Sequence, residues 1–279
     1  MEPPSTPPPL PPLRTTLART DAEKISALHL IADSIAQQRQ TAARSLLSHP
    51  LLLSISIAFI AITTNLLLSY NTQYTAARKT GWGELAFVAT TVAGCVMAML
   101  LIVQWATGGY LVEAERVGTW AWLNAREEGG EEEEEEEEEE VEDEIFITTY
   151  GEEVIGALIL RFLSTPSPPS KQARKGETSP VRRKGVIRAW TVKRRFRNKG
   201  VGTALLEEAV LRCREKCGGG EDETVATGPV FANNHANALR VLPKMLNGAF
   251  EKREVWAQAT LERVIREVGE IESKHSQVS

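Results

Sequence analysis

The chain has 279 residues, with 37 acidic and 32 basic side chains that give a formal net charge of −5. Fifteen of the acids lie between residues 127 and 144, so the other 261 residues carry a net charge of +10. Three cysteines cannot form a disulfide framework for this length, and 42% apolar residues exclude a fully disordered or collagen-like protein. The length allows one or two domains, and the cysteine count favours a reducing compartment.

The first segments in chain order are a tail and a helix. Residues 1–19 open with a proline run and are expected to form a disordered tail. Thr20 to Glu23 fits a helix-capping pattern, and we predict an amphipathic helix over residues 20–49, starting at about Asp21. Its apolar positions recur at helical spacing: Leu28, Ile31 and Ile35.

Residues 50–112 predict a transmembrane helical hairpin. Residues 51–70 are uncharged and would form a helix of about 30 Å, which matches a bilayer core. Residues 85–112 are also uncharged and long enough to cross with tilt. The alternative is a pair of buried helices in a soluble protein. More cations flank the hairpin (Arg39, Arg44, Arg116, Arg126) than occupy its loop (Arg78, Lys79), which predicts both termini in the cytosol.

A short helical segment and an acidic stretch follow. We predict a helix within residues 113–126 and a solvated, disordered acidic loop over residues 127–144. The loop is interpreted as a spacer, and the alternative is an inhibitory segment that competes for a basic site.

Residues 145–250 alternate between strand and helix patterns, which predicts a mixed α/β sheet domain. A basic loop rich in proline and serine over residues 164–184 is expected to be mobile, and residues 251–279 to form a C-terminal helix or tail. The predicted strands are 145–149, 154–163, 185–192 and 224–227, and the predicted helices are 203–216 and 234–246.

The strand-to-helix turn after Val192 carries the clearest chemical signal. Amides at the start of a helix lack intrahelical partners, and the helix dipole adds positive charge, so a phosphate or pyrophosphate fits there. Gly200 and Gly202 allow the backbone to approach a ligand closely. Three cations of the turn add charge-assisted contacts: Arg195, Arg197 and Lys199.

The turn resembles the acetyl-CoA signature of the GNAT N-acetyltransferase superfamily, Arg/Gln-x-x-Gly-x-Gly/Ala, here Arg197-x-x-Gly200-x-Gly202. It is neither a dinucleotide fingerprint nor a P-loop, and the remaining alternative is a basic helix start with no ligand. Over residues 20–250, a first helix, an apolar hairpin and then the sheet with its motif resemble the camello-like membrane-bound N-acetyltransferases in layout.

The resemblance implies a GNAT-like acyl-CoA N-acyltransferase fold with acetyl-CoA as co-substrate and no metal. It implies that the pyrophosphate lies on the turn amides and that the Val192 amide polarises the thioester carbonyl while an amine attacks directly. Asn233-x-x-Ala236 fits a further family spacing beside the CoA arm, with Asn234 as the alternative. The implied cofactor residues are Val192, Arg195, Arg197, Asn198, Lys199, Gly200, Val201, Gly202, Thr203, Asn233 and Asn234.

Groups for proton transfer are harder to find in the sequence. The family often has a tyrosine after the fifth strand, and Arg240, Val241 or Pro243 takes that place here. Residues 186–192 also contain no Asp or Glu. His235 has a suitable ordinary pKa for a catalytic base, and a surface or helix-capping histidine is the alternative.

Basic residues concentrate between positions 161 and 216, where 16 Lys and Arg face four Glu. The phosphates of CoA account for part of this excess, and residues 182–184 either meet anionic lipid headgroups or form a solvated loop. Nucleic-acid binding is disfavoured because few aromatic residues accompany the cations. Cys213 and Cys217 are too few for a closed zinc site and are interpreted as helix-packing residues.

The sequence therefore predicts a membrane-anchored acyltransferase that transfers acetyl from acetyl-CoA to an amine of a protein or small molecule. We expect an integral protein of the endoplasmic reticulum or another endomembrane, with its catalytic domain in the cytosol. The alternative is a catalytically weak or inactive GNAT-like membrane protein that binds CoA or anionic lipid and serves an interaction role.

Overall fold

The structure is a computed structural model and describes residues 11–74, 81–125, 143–166, 181–217 and 228–278. The chain divides into two compact units. The sheet unit comes from residues 1–35, 113–239 and 252–279, and the helical unit from residues 36–112 and 240–251. Each unit is therefore discontinuous in sequence.

Five strands form one sheet in the order in which they occur along the chain. The first four pair antiparallel, and the fifth pairs parallel with the fourth. The second and third strands form the predicted hairpin, in which Gly151 has a φ of 63°, a conformation that favours glycine. The strands are β1 (Leu13–Leu17), β2 (Asp143–Tyr150), β3 (Glu153–Pro166), β4 (Val181–Val192) and β5 (Val230–Phe231).

β1 lies inside the segment that the sequence assigned to a disordered tail. Its five residues pair with Phe146–Tyr150 at the edge of the sheet, and Thr15 Oγ1 lies 3.0 Å from Thr148 Oγ1. Threonine is enriched in strands, so a short strand follows the proline run. The tail predicted for residues 1–19 is thus corrected over β1, while residues 1–10 lie outside the described residues.

In the described part of the chain between β1 and β2, five helices follow one another. The first begins with a capping box, in which Thr20 Oγ1 accepts from Glu23 N–H at 3.3 Å and Glu23 Oε2 accepts from Thr20 N–H at 3.1 Å. Because residues 50–112 lie between β1 and β2, which are neighbours in the sheet, the apolar hairpin is an insertion within the sheet fold. The helices are α1 (Asp21–Ser48), α2 (Pro50–Tyr74), α3 (Gly81–Ala106), α4 (Gly109–Val117) and α5 (Trp120–Asn124), and they include the predicted first helix and the predicted helical segment before the acidic stretch.

Two further helices pack into the apolar core of the sheet unit, α6 (Val201–Cys217) and α7 (Gly248–Val278). Gly156 of β3 lets α6 approach closely, because a Cβ atom there would lie 2.9 Å from Leu205 Cδ1. α7 agrees with the helix expected after residue 251. The core joins side chains of both helices to β2, β3 and β4: Phe146, Leu158, Leu160, Ile187, Leu205, Leu206, Ala209, Val210, Leu261, Val264 and Val268.

The helix predicted over residues 234–246 is wrong. This segment forms turns and ends in a single 3-10 turn at Lys244–Leu246. Proline at position 243 cannot donate a helical hydrogen bond, and the amides of Ala232 and Ala236 donate to carbonyls of β4 instead. Residues 232–236 therefore run beside β4, and no helix forms there.

The predicted loop over residues 164–184 is shorter than expected. β3 continues to Pro166 and β4 begins at Val181, and the two strands remain paired up to these residues. Residues 167–180 lie outside the described residues, as do residues 126–142 and the short strand predicted at 224–227. Asp143 and Glu144, the last two residues of the predicted acidic loop, belong to β2.

Two apolar stretches are long and apolar enough to cross a membrane, Pro50–Tyr70 and Leu85–Val117. Their mean hydropathies are 2.3 and 2.4, and none of either apolar window is buried. Large side chains on these helices face outward, including Phe59, which is 59% exposed. Continuous apolar surface of this kind is typical of contact with lipid or with another protein.

Candidate functional site

β4 becomes irregular before it reaches the basic turn. Ile159 of β3 pairs with Ala189, whereas Leu160 pairs with Ile187, so Arg188 is an extra residue in β4. Such a bulge bends the strand and changes the direction in which the following residues point. The last residues of β4 therefore take an orientation that a regular strand would not give them.

The amide of Val192 points away from β3. Val192 lies opposite Gly156, and the next residue, Lys193, donates its N–H to Ile155 O at 2.7 Å. In an antiparallel ladder, this pattern makes Val192 and Gly156 a non-hydrogen-bonded pair. The N–H of Val192 thus points to the opposite edge of β4, the edge on which β5 lies.

The turn after β4 is tightly folded. It begins with a 3-10 turn at Arg194–Phe196, and the Arg197 side chain closes it by donating from Nε to Val192 O at 2.9 Å. Asn198 and Gly200 then adopt positive φ angles of 60° and 82°. Asn and Gly are the residues that take this left-handed conformation most readily, so the sequence of the turn suits its shape.

The two glycines of the motif have different surroundings. A Cβ atom on Gly200 would meet nothing within 4 Å, so the backbone is open there. A Cβ atom on Gly202 would lie 3.0 Å from Trp190 Cζ2, and Trp190 Nε1 donates to Gly202 O at 3.2 Å. Gly202 therefore lets α6 pack on Trp190, while Gly200 leaves the helix start accessible. The first amides of α6 have no intrahelical acceptor and face that opening.

Positive charge gathers around this helix start. Arg194, Arg195 and Lys199 are exposed, and Lys199 Nζ lies 5.3 Å from the ring centre of Phe196. Partial burial lowers the pKa of Arg197, and the nearby guanidinium groups of Arg253 and Arg194 lower it further. Like charges held this close repel one another, so a bound anion would stabilise the arrangement.

Three asparagines lie in the turns after β5, and two of them are the residues that the resemblance placed beside the CoA arm. Asn233 and Asn234 are exposed in the turns after β5. Asn237, which the sequence did not single out, donates from Nδ2 to Trp190 O, and its Oδ1 accepts from Ser34 Oγ of α1 at 3.2 Å. Asn237 therefore marks the same edge of β4 to which the Val192 N–H points, since residues two apart in a strand share an edge.

Residues 114–240 match the family model described as Acetyltransferase (GNAT) family. This segment, which is less than half of the chain, is therefore similar to a GNAT acetyltransferase domain. The match includes β2, β3, β4, β5, the basic turn and α6. β1, α1 and α7 lie outside it. The chain has no significant match among curated proteins or solved structures. The resemblance to the camello-like subfamily thus stays a prediction.

His235, which falls in the segment matched by the family model, lies in the turns beside β5. It is half-buried, and its ring centre lies 5.4 Å from that of Phe231. Its backbone belongs to the turns, since its N–H donates to Ala232 O and its carbonyl accepts from Ala238 N–H. The structure thus holds the imidazole near β5, and its role as a base stays a prediction.

The acidic stretch ends in two residues that the domain buries. The Asp143 side chain is 4% exposed and accepts from Arg161 Nε at 2.5 Å and Nη2 at 2.9 Å, as well as from Arg188. Arg188 also lies 4.4 Å from the Trp122 ring centre and donates to Leu123 O at 2.8 Å. This cluster fastens α5 to β3 and β4, so Asp143 is not part of a solvated loop.

Glu144 forms a second buried ion cluster. Arg212 donates to its two oxygens at 2.9 Å each, and Lys216 pairs with it as well. Burial alone would raise the pKa of Glu144, but the hydrogen bonds from Arg212 and Lys216 outweigh it and lower the pKa below its usual value. Four of the cations counted between residues 161 and 216 are thus paired with Asp143 and Glu144 and are not directed at a ligand.

The cysteines of α6 lie side by side. The Sγ atoms of Cys213 and Cys217 are 3.8 Å apart, and Cys213 is 1% exposed. Burial and the neighbouring thiol raise the pKa of Cys213 to about 12. Among the described residues, no group of three His, Cys, Asp or Glu could hold a metal ion. The pair packs α6 against Gly185 of β4, where a Cβ atom would lie 2.8 Å from Cys213 Sγ.

Proposed function

We propose that the chain is a membrane-anchored N-acetyltransferase that transfers acetyl from acetyl-CoA to an amine of a protein or small molecule. The GNAT domain supports acyl transfer with acetyl-CoA. The observation that carries the proposal is the end of β4, where an outward-facing Val192 N–H adjoins an open, cationic helix start. A thioester and a pyrophosphate are held by groups of these two kinds.

The turn would hold the phosphates of the cofactor. The first amides of α6 lack intrahelical acceptors, and the space beside Gly200 is open, so the amides of residues 200–203 would be available to phosphate oxygens. The cations of the turn supply charge, and Arg197 also braces the turn through Val192 O. We assign cofactor binding to Val192, Arg195, Arg197, Asn198, Lys199, Gly200, Val201, Gly202 and Thr203, with Asn233 and Asn234 nearby after β5.

The Val192 amide would act on the thioester. The acceptor nitrogen attacks the carbonyl carbon, the C–S bond breaks, CoA leaves as a thiolate, and the nitrogen loses a proton. A backbone N–H aimed at the carbonyl oxygen stabilises the negative charge that develops there. His235 is our candidate for receiving the proton, directly or through water.

Acetyl-CoA binding tests the site through two substitutions of one residue. Gly200→Glu and Gly200→Lys place long side chains in the same open space and impose the same strain at a φ of 82°. Only the glutamate repels phosphate. We expect acetyl-CoA affinity to fall at least about tenfold more for Gly200→Glu than for Gly200→Lys. Equal affinities, measured by calorimetry on the full chain in detergent, would remove the phosphate site from this turn.

The position of the apolar hairpin supports two membrane crossings. β1 and β2 pair in one sheet although the hairpin lies between them, so the intervening segment must cross a bilayer an even number of times. Trp82 and Trp105 lie near the two ends of α3, about 35 Å apart along a helix, and are 82% and 85% exposed. Tryptophan is enriched at membrane interfaces, so both residues suit the ends of a span.

Extraction and protection experiments test the anchoring. We expect the protein to remain in membranes after alkaline carbonate treatment, and we assign it to the endoplasmic reticulum or another endomembrane with the GNAT domain in the cytosol. Release by carbonate would contradict the anchoring. Resistance of the GNAT domain to protease added outside sealed microsomes would contradict the orientation.

A second function is favoured by one observation. Residues 186–192 of β4 contain no Asp or Glu, and no tyrosine follows β5 at the family position, so the domain could bind CoA or anionic lipid without turnover. Incubation with acetyl-CoA and a panel of amines distinguishes the two functions. Acetylated product, detected by mass spectrometry, supports the transferase, whereas acetyl-CoA binding without product supports the interaction role.

A further inference from the structure

α7 lies beyond the residues that match the family, yet its N-terminal part reaches the basic turn. The ring of Trp256 stacks on that of Trp190, with centroids 5.9 Å apart and planes 16° apart. Trp190 in turn donates to Gly202 O in the first turn of α6. Trp256 is therefore separated from the proposed phosphate site by a single indole ring.

Trp256 offers a free aromatic surface at this place. It is 59% exposed although it stacks on a neighbouring ring, so much of its remaining surface faces water. An indole held in place on one side presents a ready platform for a planar group on the other, because offset stacking of aromatic rings is favourable. Nucleic-acid bases bind proteins by this contact.

Arg253 adds a cation to the same side of α7. It lies one helical turn before Trp256, and residues three apart are neighbours on a helix surface. Its charge acts on Arg197, as does that of Arg194, so three guanidinium groups from two parts of the chain converge. Arg253 is exposed and therefore accessible to a ligand.

We propose that α7 binds the nucleotide end of the cofactor, with the adenine stacked on Trp256 and a phosphate of the adenosine half bound by Arg253. This inference rests on the proposed function, because it assigns an additional part of the same site. A ligand that carries both a planar base and phosphates satisfies the aromatic surface and the cation together. An anionic lipid headgroup has the phosphate but no base and would not use Trp256.

Two ligands separate this inference from the proposed function. Acetyl-CoA contains the adenosine half, whereas S-acetyl-4′-phosphopantetheine has the same thioester and arm without it. For the full chain in detergent, we expect Arg253→Ala and Trp256→Ala each to weaken acetyl-CoA binding about tenfold. Binding of S-acetyl-4′-phosphopantetheine should not change. Arg253→Lys and Trp256→Phe should restore most of the affinity, since they keep the charge and the ring.

Arg263→Ala is the matched control, because Arg263 is exposed on the same helix and pairs only weakly, at 3.9 Å, with Glu267. It should bind both ligands as the unsubstituted chain does. Equal losses for the two ligands, or no loss for acetyl-CoA, would overturn the role of α7. If the unsubstituted chain binds neither ligand, the proposed function itself fails. Thermal unfolding of each variant separates lost contacts from lost folding.

Discussion

The Asp143→Asn substitution tests whether the end of the acidic stretch supports the fold. Asparagine keeps the shape of the side chain but removes its charge. The guanidinium groups of Arg161 and Arg188, only 6% and 7% exposed, then lose their carboxylate. Breaking a buried ion pair by removing one partner costs about 3–5 kcal/mol, because an uncompensated charge stays buried.

The lower end of this range applies here. Carbonyl oxygens of α5 still accept from both arginines, including Leu123 O at 2.9 Å from Arg161 and 2.8 Å from Arg188. We therefore expect a loss of about 3 kcal/mol. For a unit of this size, each kcal/mol lowers the midpoint of thermal unfolding by about 2–4 °C, so the midpoint should fall by roughly 6–12 °C.

The assay is thermal unfolding of the full chain in detergent, followed by tryptophan fluorescence. Trp122 and Trp190 lie in the sheet unit and report on its unfolding. Glu152→Gln makes the same charge change on the exposed β2–β3 turn and should alter the stability by less than about 0.5 kcal/mol.

A double variant separates the ion cluster from a general loss of charge. Arg188→Met removes one buried cation, so Asp143→Asn should cost less in that background than in the original chain. The reasoning fails if Asp143→Asn stays within about 1 kcal/mol of the Glu152→Gln control, or if the two substitutions of the cluster are additive.

Three further predictions concern the remaining site residues. Glu144→Gln should lower the stability at pH 7. The folded pKa of Glu144 lies below its usual value, so the difference between the two chains should shrink as the pH falls from the ordinary pKa of a glutamate through the lower folded pKa. Urea midpoints measured at pH 7 and over this acidic range check this. Gly202→Ala should change the near-ultraviolet circular dichroism of Trp190, because the ring lies 3.0 Å from the new methyl group. Gly200→Ala strains the backbone at a φ of 82° but places no atom within 4 Å of the new methyl group, so it should change this signal less. Cys213 should resist iodoacetamide at pH 8 in the folded chain, because a pKa of about 12 leaves only about one thiol in ten thousand ionised. Peptide mass spectrometry measures the labelling. Rapid labelling of Cys213 before denaturation would contradict the prediction.

The basic turn between β4 and α6 was predictable because its signals are local. The end of a strand, the two glycines and the start of a helix follow each other within residues 192–206, and the structure has these elements in this order. The hairpin of β2 and β3 and the helix α1 were predictable for the same reason, since the alternation of residues and the capping box at Thr20 are local patterns. The GNAT resemblance rested on this part of the chain.

The ion clusters were not predictable, because their partners are distant in sequence. Asp143 follows an acidic run and looks solvated until β3 and β4 bring Arg161 and Arg188 to it. Four of the cations counted between residues 161 and 216 are likewise paired with Asp143 and Glu144. The net charge of a sequence segment does not give the charge of the protein surface, because cations and carboxylates that form buried ion pairs neutralise each other.

The residues after β5 are a second case in which contacts with distant residues could not be read from the sequence. The spacing of Asn233 and Ala236 suggested an amide beside the CoA arm, but Asn237 is the amide that reaches β4. The segment passes along β4 because its backbone donates to that strand, and this tertiary pairing decides which side chain points inward.

The proposed catalysis would depend on two separate parts of the fold. In the proposed mechanism, the direction of the Val192 N–H is set by the bulge in β4 and by the ladder between β4 and β3. The proposed proton acceptor, His235, is instead placed by the turns after β5. Substitutions in the turn should therefore affect acetyl-CoA binding first, whereas substitutions of His235 should affect turnover while leaving acetyl-CoA binding intact.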